Sequence, residues 1–83
     1  MKPFNGNTEL DGENLEFTFY YTHTVGGEKF FVTVTRYRQA YVFDMMERGS
    51  GKWLLVEPTP QWVKPLEEQL ADIIKRNIRL SPK

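Results

Sequence analysis

The chain has 83 residues and no net charge, and its 40% hydrophobic and 27% charged residues are typical of a single folded domain. It has no cysteine and one histidine, which excludes disulfide frameworks, thiol nucleophiles and zinc sites built from cysteine and histidine. Eleven basic and eleven acidic residues disfavour a dedicated nucleic-acid-binding protein, which usually carries a basic excess.

Residues 1–14 are polar and rich in asparagine, glycine and acidic side chains. This composition is typical of a flexible terminal segment. We therefore predict a flexible N-terminal arm over 1–14, with Phe4 and Leu10 as the side chains that could anchor it.

The first predicted strand covers about 15–25, where apolar and polar residues alternate with a period of two. Gly26-Gly27 follows, and glycine tolerates the positive φ of a two-residue hairpin turn. A turn there pairs Val25 with Glu28. This register puts the odd-numbered residues of the first strand and the even-numbered residues of the second on one apolar face.

The second strand ends near Tyr37, and Arg38-Gln39 is the predicted turn into a third strand over about 40–47. Pairing of Tyr37 with Ala40 then defines the two faces of the third strand. The inner face gains Tyr41, Phe43 and Met45, and the outer face gains Ala40, Val42, Asp44 and Met46.

Residues 48–51 have the composition of a loop and precede a fourth strand over about 52–57. A slip of one residue would exchange the two faces of this strand. Either Leu54 and Val56 or Trp53 and Leu55 point inward, and we favour Leu54 and Val56.

A helix is predicted next, with Thr59 as its N-cap and Pro60 as its first residue. Apolar residues then recur at helical spacing. Pro65 conflicts with a regular start, because proline removes a hydrogen bond in a helix interior. Either the first turn is irregular or the regular helix begins near Lys64.

The predicted fold class is α+β, a four-stranded antiparallel β-meander followed by one C-terminal α-helix packed on one face. The domain covers 15–80, the helix ends at about Asn77, and 81–83 form a tail. The predicted core comprises Phe17, Phe19, Tyr21, Val32, Val34, Phe43, Met45, Leu54, Val56, Trp62, Leu66, Leu70, Ile73 and Ile74.

The chain shows no catalytic, metal-binding or cofactor-binding motif, which predicts a protein that is not an enzyme and uses no cofactor. Gly49-Ser50-Gly51-Lys52 resembles the end of a phosphate-binding loop. However, a tryptophan stands where that motif needs serine or threonine, and a strand follows in place of a helix. His23 is predicted to be structural, because no serine partner is suggested for it.

The outer face of the sheet is unusually rich in apolar side chains, although nothing in the predicted fold covers it. A contiguous apolar patch across four strands is uncommon on a monomer and usually marks an interface. The candidate interface residues are Tyr20, Phe31, Val42, Met46, Trp53 and Leu55.

Basic and aromatic residues also cluster around the second hairpin. Single-stranded nucleic acid is bound by stacking on aromatic rings beside a positive groove. The alternative is a charged hairpin tip that keeps the sheet soluble. The candidate nucleic-acid contacts are Lys29, Arg36, Tyr37, Arg38, Tyr41 and Lys52.

Four antiparallel strands followed by one helix resemble the positive cofactor four family of single-stranded-DNA-binding coactivators. The segment Pro60-Gln61-Trp62 and the amphipathic run 66–73 are similar to the helix of that family. The resemblance implies a dimer that binds single strands on its sheet. The implied backbone contacts are Lys29, Arg36, Arg38 and Lys52, and the implied stacking rings are Tyr20, Phe31 and Trp53.

Three functions remain open from the sequence. The first is a homodimer or protein-interaction module that uses the outer face, and the second is a single-strand nucleic-acid binder. The third is a small-ligand site between helix and sheet, with His23 and Tyr21 at its rim. A cytoplasmic location is predicted, because the chain lacks cysteine and shows neither a signal peptide nor an apolar run of membrane-spanning length.

Overall fold

A computed structural model describes residues 1–49 and 51–80 of the chain. These residues form five strands, a 3₁₀ helix and an α-helix. In chain order they are β1 (Phe4–Leu10), β2 (Glu13–Thr24), β3 (Gly27–Arg36), β4 (Gln39–Arg48), β5 (Lys52–Val56), the 3₁₀ helix (Gln61–Leu66) and α1 (Glu67–Leu80). The predicted tail 81–83 and Ser50 of the predicted loop lie outside the described residues.

The strands form one antiparallel sheet in the order β1-β2-β3-β4-β5. The helix α1 packs against both edge strands, β1 and β5, and so covers one side of the sheet. The predicted α+β class, the antiparallel meander and the C-terminal helix are confirmed. The sheet has five strands where four were predicted.

The additional strand is β1, which lies in the segment predicted to be a flexible arm. It pairs with β2 from Phe4 opposite Phe19 to Leu10 opposite Glu13. Asp11 and Gly12 both have positive φ in the turn between the two strands. An Asp-Gly pair is a strong hairpin signal, because it suits a turn that needs positive φ at both positions.

The turns of the two central hairpins each lie one residue earlier than predicted, which shifts the strand register by two residues. Thr24 pairs with Gly27, so Val25 and Gly26 form the first turn. The predicted Gly26-Gly27 turn is therefore wrong. Because side chains in a strand alternate with a period of two, this shift leaves every residue on its predicted face.

The second hairpin shows the same correction. Arg36 pairs with Gln39, and Tyr37 and Arg38 form the turn with φ of 53° and 65°. The predicted Arg38-Gln39 turn is wrong for this reason. Again the faces are unchanged, since the register moves by two residues.

The favoured register of the last strand is wrong. Trp53 is only 3% exposed and lies against Phe30, with ring centroids 5.2 Å apart. Leu55 packs against the same core, whereas Leu54 and Val56 lie on the outer face. This arrangement buries the largest side chain of the strand, which removes more apolar area from water than burial of a leucine or valine.

The core fills the space between the sheet and the helical segment. Most of the predicted core is buried, while Tyr21 and Trp62 are partly buried at its margin. The buried hydrophobic residues are Leu15, Phe17, Phe19, Phe30, Val32, Val34, Phe43, Met45, Trp53, Val63, Leu66, Leu70, Ala71, Ile73 and Ile74.

The start of the helical segment is irregular, as one of the two predicted alternatives required. Pro65 lies within the 3₁₀ helix, and the regular α-helix begins only at Glu67. The predicted N-cap role of Thr59 is wrong. Its hydroxyl donates instead to the Val56 carbonyl at 2.8 Å, and Pro60 stands at the cap position without a side-chain hydrogen bond.

Candidate functional site

The outer face is the side of the sheet that α1 does not cover. Its aromatic and aliphatic side chains are substantially exposed: Tyr20 is 41%, Phe31 40% and Val42 54% accessible. Met46 is half-buried on the same face. These four residues occupy the positions that the alternation predicted for them.

Cross-strand pairing joins these side chains into one patch. Tyr20 lies opposite Phe31, and their ring centroids are 6.2 Å apart. One row continues from Phe31 through Asp44 on β4 to Val56 on β5, and the neighbouring row joins Met46 to Leu54. Residues directly opposite each other on one face are in side-chain contact range. The patch is therefore contiguous from β2 to β5.

Two predicted members of the candidate interface do not lie on this face. Trp53 and Leu55 point to the core, because the register of β5 differs from the favoured one. Leu54 and Val56 take their places and are half-buried. The corrected patch comprises Tyr20, Phe31, Val42, Met46, Leu54 and Val56.

An ion pair lies within this patch. The Nζ atom of Lys29 is 3.3 Å from Oδ2 of Asp44, and the two side chains are 29% and 32% exposed. Asp44 lies opposite Phe31 and Val56, and Lys29 lies opposite Met46. The patch therefore contains one positive and one negative charge, with Asp44 between Phe31 and Val56 and Lys29 beside Met46.

Arg36, a candidate nucleic-acid contact, is engaged within the protein. Its guanidinium lies over the rings of Tyr37 and Trp62, 4.8 and 4.7 Å from their centroids, and its Nε donates to Glu13 Oε1 at 3.2 Å. Burial lowers the pKa of Arg36, but the hydrogen bond to Glu13 and the further interactions with Glu13 and Tyr37 together outweigh burial, so the pKa is raised overall. The side chain is charged and only 12% exposed.

The other candidate nucleic-acid contacts are dispersed over the molecule. Tyr41 lies on the inner face with its ring edge against Trp62. Tyr37, at 78% exposure, and Arg38 lie in the β3–β4 turn, whereas Lys52 begins β5 at the opposite end of the sheet. The structure does not bring these side chains together into one groove.

The space between helix and sheet, where the small-ligand alternative places its site, is occupied by side chains. Phe17, Phe30 and Leu70 are fully buried there. His23 is exposed near the end of β2, opposite Glu28. Tyr21 is half-buried, and burial, followed by the charge of Glu28, raises the pKa of its hydroxyl above the ordinary value.

Two further observations concern only the part of the chain that the structure describes. No three His, Cys, Asp or Glu side chains among residues 1–49 and 51–80 form a group that could hold a metal ion. None of the helices within those ranges is long and apolar enough to cross a membrane.

Comparisons of this chain with protein-family models, with curated proteins and with solved structures found no match. The resemblance to the positive cofactor four family stays a prediction that rests on the element order and on residues 60–73. The outer face is thus the strongest candidate site, on its own geometry.

Proposed function

We propose that the protein is a non-enzymatic homodimeric interaction module whose two copies pack through their outer faces. The observation that carries this proposal is the contiguous patch around Tyr20 and Phe31, which lies on the side of the sheet away from α1. Burial of such a patch releases water from apolar surface and favours association. We propose a cytoplasmic location, a reducing compartment that suits a chain without cysteine.

The charges on the patch favour a second copy of this chain as the partner. In a two-fold symmetric dimer the same surface meets itself, so it must be self-complementary. Lys29 and Asp44 meet this condition, because a two-fold axis in the interface plane, perpendicular to the line that joins them, places each over its opposite charge in the other copy. The ion pair carries no net charge, so it offers no complementary charge to a strongly acidic or strongly basic partner.

The size of the face is also adequate for a dimer. Strands lie about 4.8 Å apart and rise about 3.3 Å per residue, so a five-stranded sheet of this length offers roughly 600 Å² in projection. A standard interface buries about 800 Å² of accessible surface per partner. Side chains roughen the face, so its accessible area is larger than its projected area and lies closer to the area that a standard interface buries.

The direct test compares Phe31→Lys with Val25→Lys. Both replace an exposed apolar residue by lysine, but Val25 lies in the β2–β3 turn and Phe31 in the middle of the patch. The wild type is expected to have a mass in solution near twice 9.8 kDa. Phe31→Lys should yield a folded monomer, because its ammonium group would be desolvated in the interface, where the opposite carboxylate of Asp44 already pairs with Lys29, whereas Val25→Lys should stay dimeric.

These masses are measured by light scattering, and circular dichroism confirms that each variant is folded. A wild type that is monomeric at high concentration would contradict the proposal. A folded Phe31→Lys protein that remains dimeric would contradict the choice of face.

The orientation of the two copies is tested by charge exchange. Lys29→Asp and Asp44→Lys each place like charges across the proposed interface, so each variant alone should associate weakly. An equimolar mixture should recover the dimer, because each Lys29→Asp chain meets an Asp44→Lys chain. If Lys29 and Asp44 pair only within one chain, mixing the two variants should not recover the dimer, because neither chain regains both residues of the pair.

Single-stranded nucleic-acid binding remains the second candidate, supported by the exposed ring of Tyr37 beside Arg38. An oligonucleotide titration at about 50 mM salt on the same samples separates the two functions. Salt-dependent binding that falls in Arg38→Ala would support the second candidate.

A further inference from the structure

The edge of β5 borders a groove that shares only Leu54 with the outer-face patch. This strand is the last in the sheet, and α1 runs beside it. The space between them has a volume of about 450 Å³, within the range of ligand-binding pockets. Its lining comprises Lys52, Trp53, Leu54, Glu67, Glu68, Ala71, Asp72 and Lys75.

Backbone groups of β5 face this groove. The N–H of Leu55 donates to Glu67 Oε2 on α1 at 2.8 Å, so it points away from β4. In an antiparallel strand, alternate residues direct both their N–H and C=O to the same side. The N–H and C=O of Trp53 therefore point to the open edge as well, into the space between β5 and α1. An open strand edge of this kind is a template for one more strand.

Apolar side chains lie at the base of the groove, and charged side chains line its walls. Trp53 and Ala71 are 3% and 8% exposed and form the base, where the small side chain of Ala71 leaves room beside the helix. Glu68 and Asp72 are exposed and four residues apart, so they lie on one face of α1.

The two lysines of the groove lie away from the contact between Leu55 and Glu67. Helices rise about 1.5 Å and strands about 3.3 Å per residue, so Lys75 lies about 12 Å from Glu67 and Lys52 about 10 Å from Leu55. Glu67 and Glu68 therefore lie at one end of the groove and the two lysines at the other, with Asp72 between them.

We propose that this groove binds an extended peptide of a partner protein, which adds to β5 as a sixth, antiparallel strand. The main chain of the peptide pairs with Trp53, and its helix-facing side chains carry a basic residue followed two positions later by an acidic one. An antiparallel peptide runs from the Glu67 end to the Lys52 end, so the basic residue meets Glu68 and Asp72 and the acidic residue meets Lys75. This site shares Leu54 with the outer-face patch, but its backbone and helix contacts lie at the edge of β5, so its test does not depend on the proposed dimer.

The probe is a fluorescently labelled peptide, Thr-Val-Lys-Val-Glu-Val-Thr, titrated with the full chain and followed by fluorescence anisotropy. Saturable binding with a Kd below about 1 mM is expected. The reversed-order peptide Thr-Val-Glu-Val-Lys-Val-Thr has the same composition but opposite charge order, and it should bind at least about tenfold more weakly. Methylation of the backbone amides that face β5 should also weaken binding, because it removes the donors of the added strand.

Variants of the protein locate the site. Ala71→Leu fills the base of the groove, and Glu68→Lys reverses a charge on its wall, so each should weaken binding about tenfold. Val25→Lys, at an exposed position that does not line the groove, should leave binding unchanged. Since Glu68 is exposed, its variant keeps the test valid if Ala71→Leu does not fold.

The proposal is overturned if no peptide saturates, or if the reversed or methylated peptide binds as well as the probe. It is also overturned if folded Glu68→Lys binds the probe as the wild type does.

Discussion

Gly6 allows β1 to approach α1 closely. A Cβ atom at this position would lie 2.5 Å from Cγ2 and 2.8 Å from Cδ1 of Ile73. These distances are well below ordinary van der Waals contact, so any side chain larger than hydrogen would displace the isoleucine or the strand. Because Ile73 belongs to the buried core, its displacement would disturb the packing of the helix against the sheet edge.

We predict that Gly6→Ala lowers the free energy of unfolding by about 1–3 kcal/mol, the usual cost of overpacking a core. Asn7→Ala, at the neighbouring outward position of β1, is the control and should cost little. Urea denaturation measures both. Ile73→Ala removes the clashing atoms, so Gly6→Ala should cost less in that background than alone. Equal costs in the two backgrounds would show that the clash is not the cause.

At the scale of elements, Glu57 links the end of β5 to the 3₁₀ helix. Its carboxylate lies 3.0 Å from Lys64 Nζ and accepts from the backbone N–H of Thr59 at 3.3 Å. The hydrogen bond from Lys64 is the main cause of a lowered pKa for this carboxyl, which partial desolvation opposes. Both side chains are largely exposed, so water and salt screen the pair and its contribution is small.

The sign of the resulting pH dependence follows from the lowered pKa. The carboxyl of Glu57 releases its proton more readily in the folded chain than in the unfolded one, so its contribution is complete above an unfolded pKa of about 4.5. That contribution disappears as the pH falls through the lower folded pKa. We predict that Glu57→Gln is less stable than the wild type at pH 7 and that the difference decreases as the pH falls below about 4.5, as measured by urea denaturation. A difference that does not decrease on acidification would assign the loss to packing.

Alternation decided which elements the sequence could predict. Apolar and polar residues alternate clearly in strands β2 to β4. The faces of their side chains were predicted correctly although both hairpin turns were misplaced, because each error shifted the register by two residues. β1 escaped prediction because Gly6 and Thr8 occupy inward positions between Phe4 and Leu10, which interrupts the apolar pattern. The Asp-Gly turn after it was the signal that could have revealed the strand.

The candidate site was predictable to the same extent. Tyr20 and Phe31 lie on the outer face because strong alternation defines their strands. In β5 both parities are apolar, so periodicity could not choose between Trp53 and Leu54; burial of the indole against Phe30 decides it. The engagement of Arg36 by Glu13 and Trp62 could not be predicted, since it joins residues far apart in the chain.

At the scale of the whole molecule, the sheet has two apolar sides and α1 covers one of them. The Cα atoms extend over 35 × 25 × 20 Å, so the core is thin and most residues lie near the surface. A chain of this size buries only about 60–65% of the surface that it exposes when unfolded, which leaves a small margin of stability. Burial of the outer face against a second copy would add to that margin.

Dimerisation therefore predicts that thermal stability depends on protein concentration. If the folded dimer is in equilibrium with unfolded monomers, mass action raises the midpoint of unfolding as the concentration increases. The wild type and Val25→Lys should show this rise in calorimetry over a hundredfold concentration range, whereas Phe31→Lys should melt at one temperature throughout. A midpoint of the wild type that does not change with concentration would mean that the outer face adds nothing to stability through self-association.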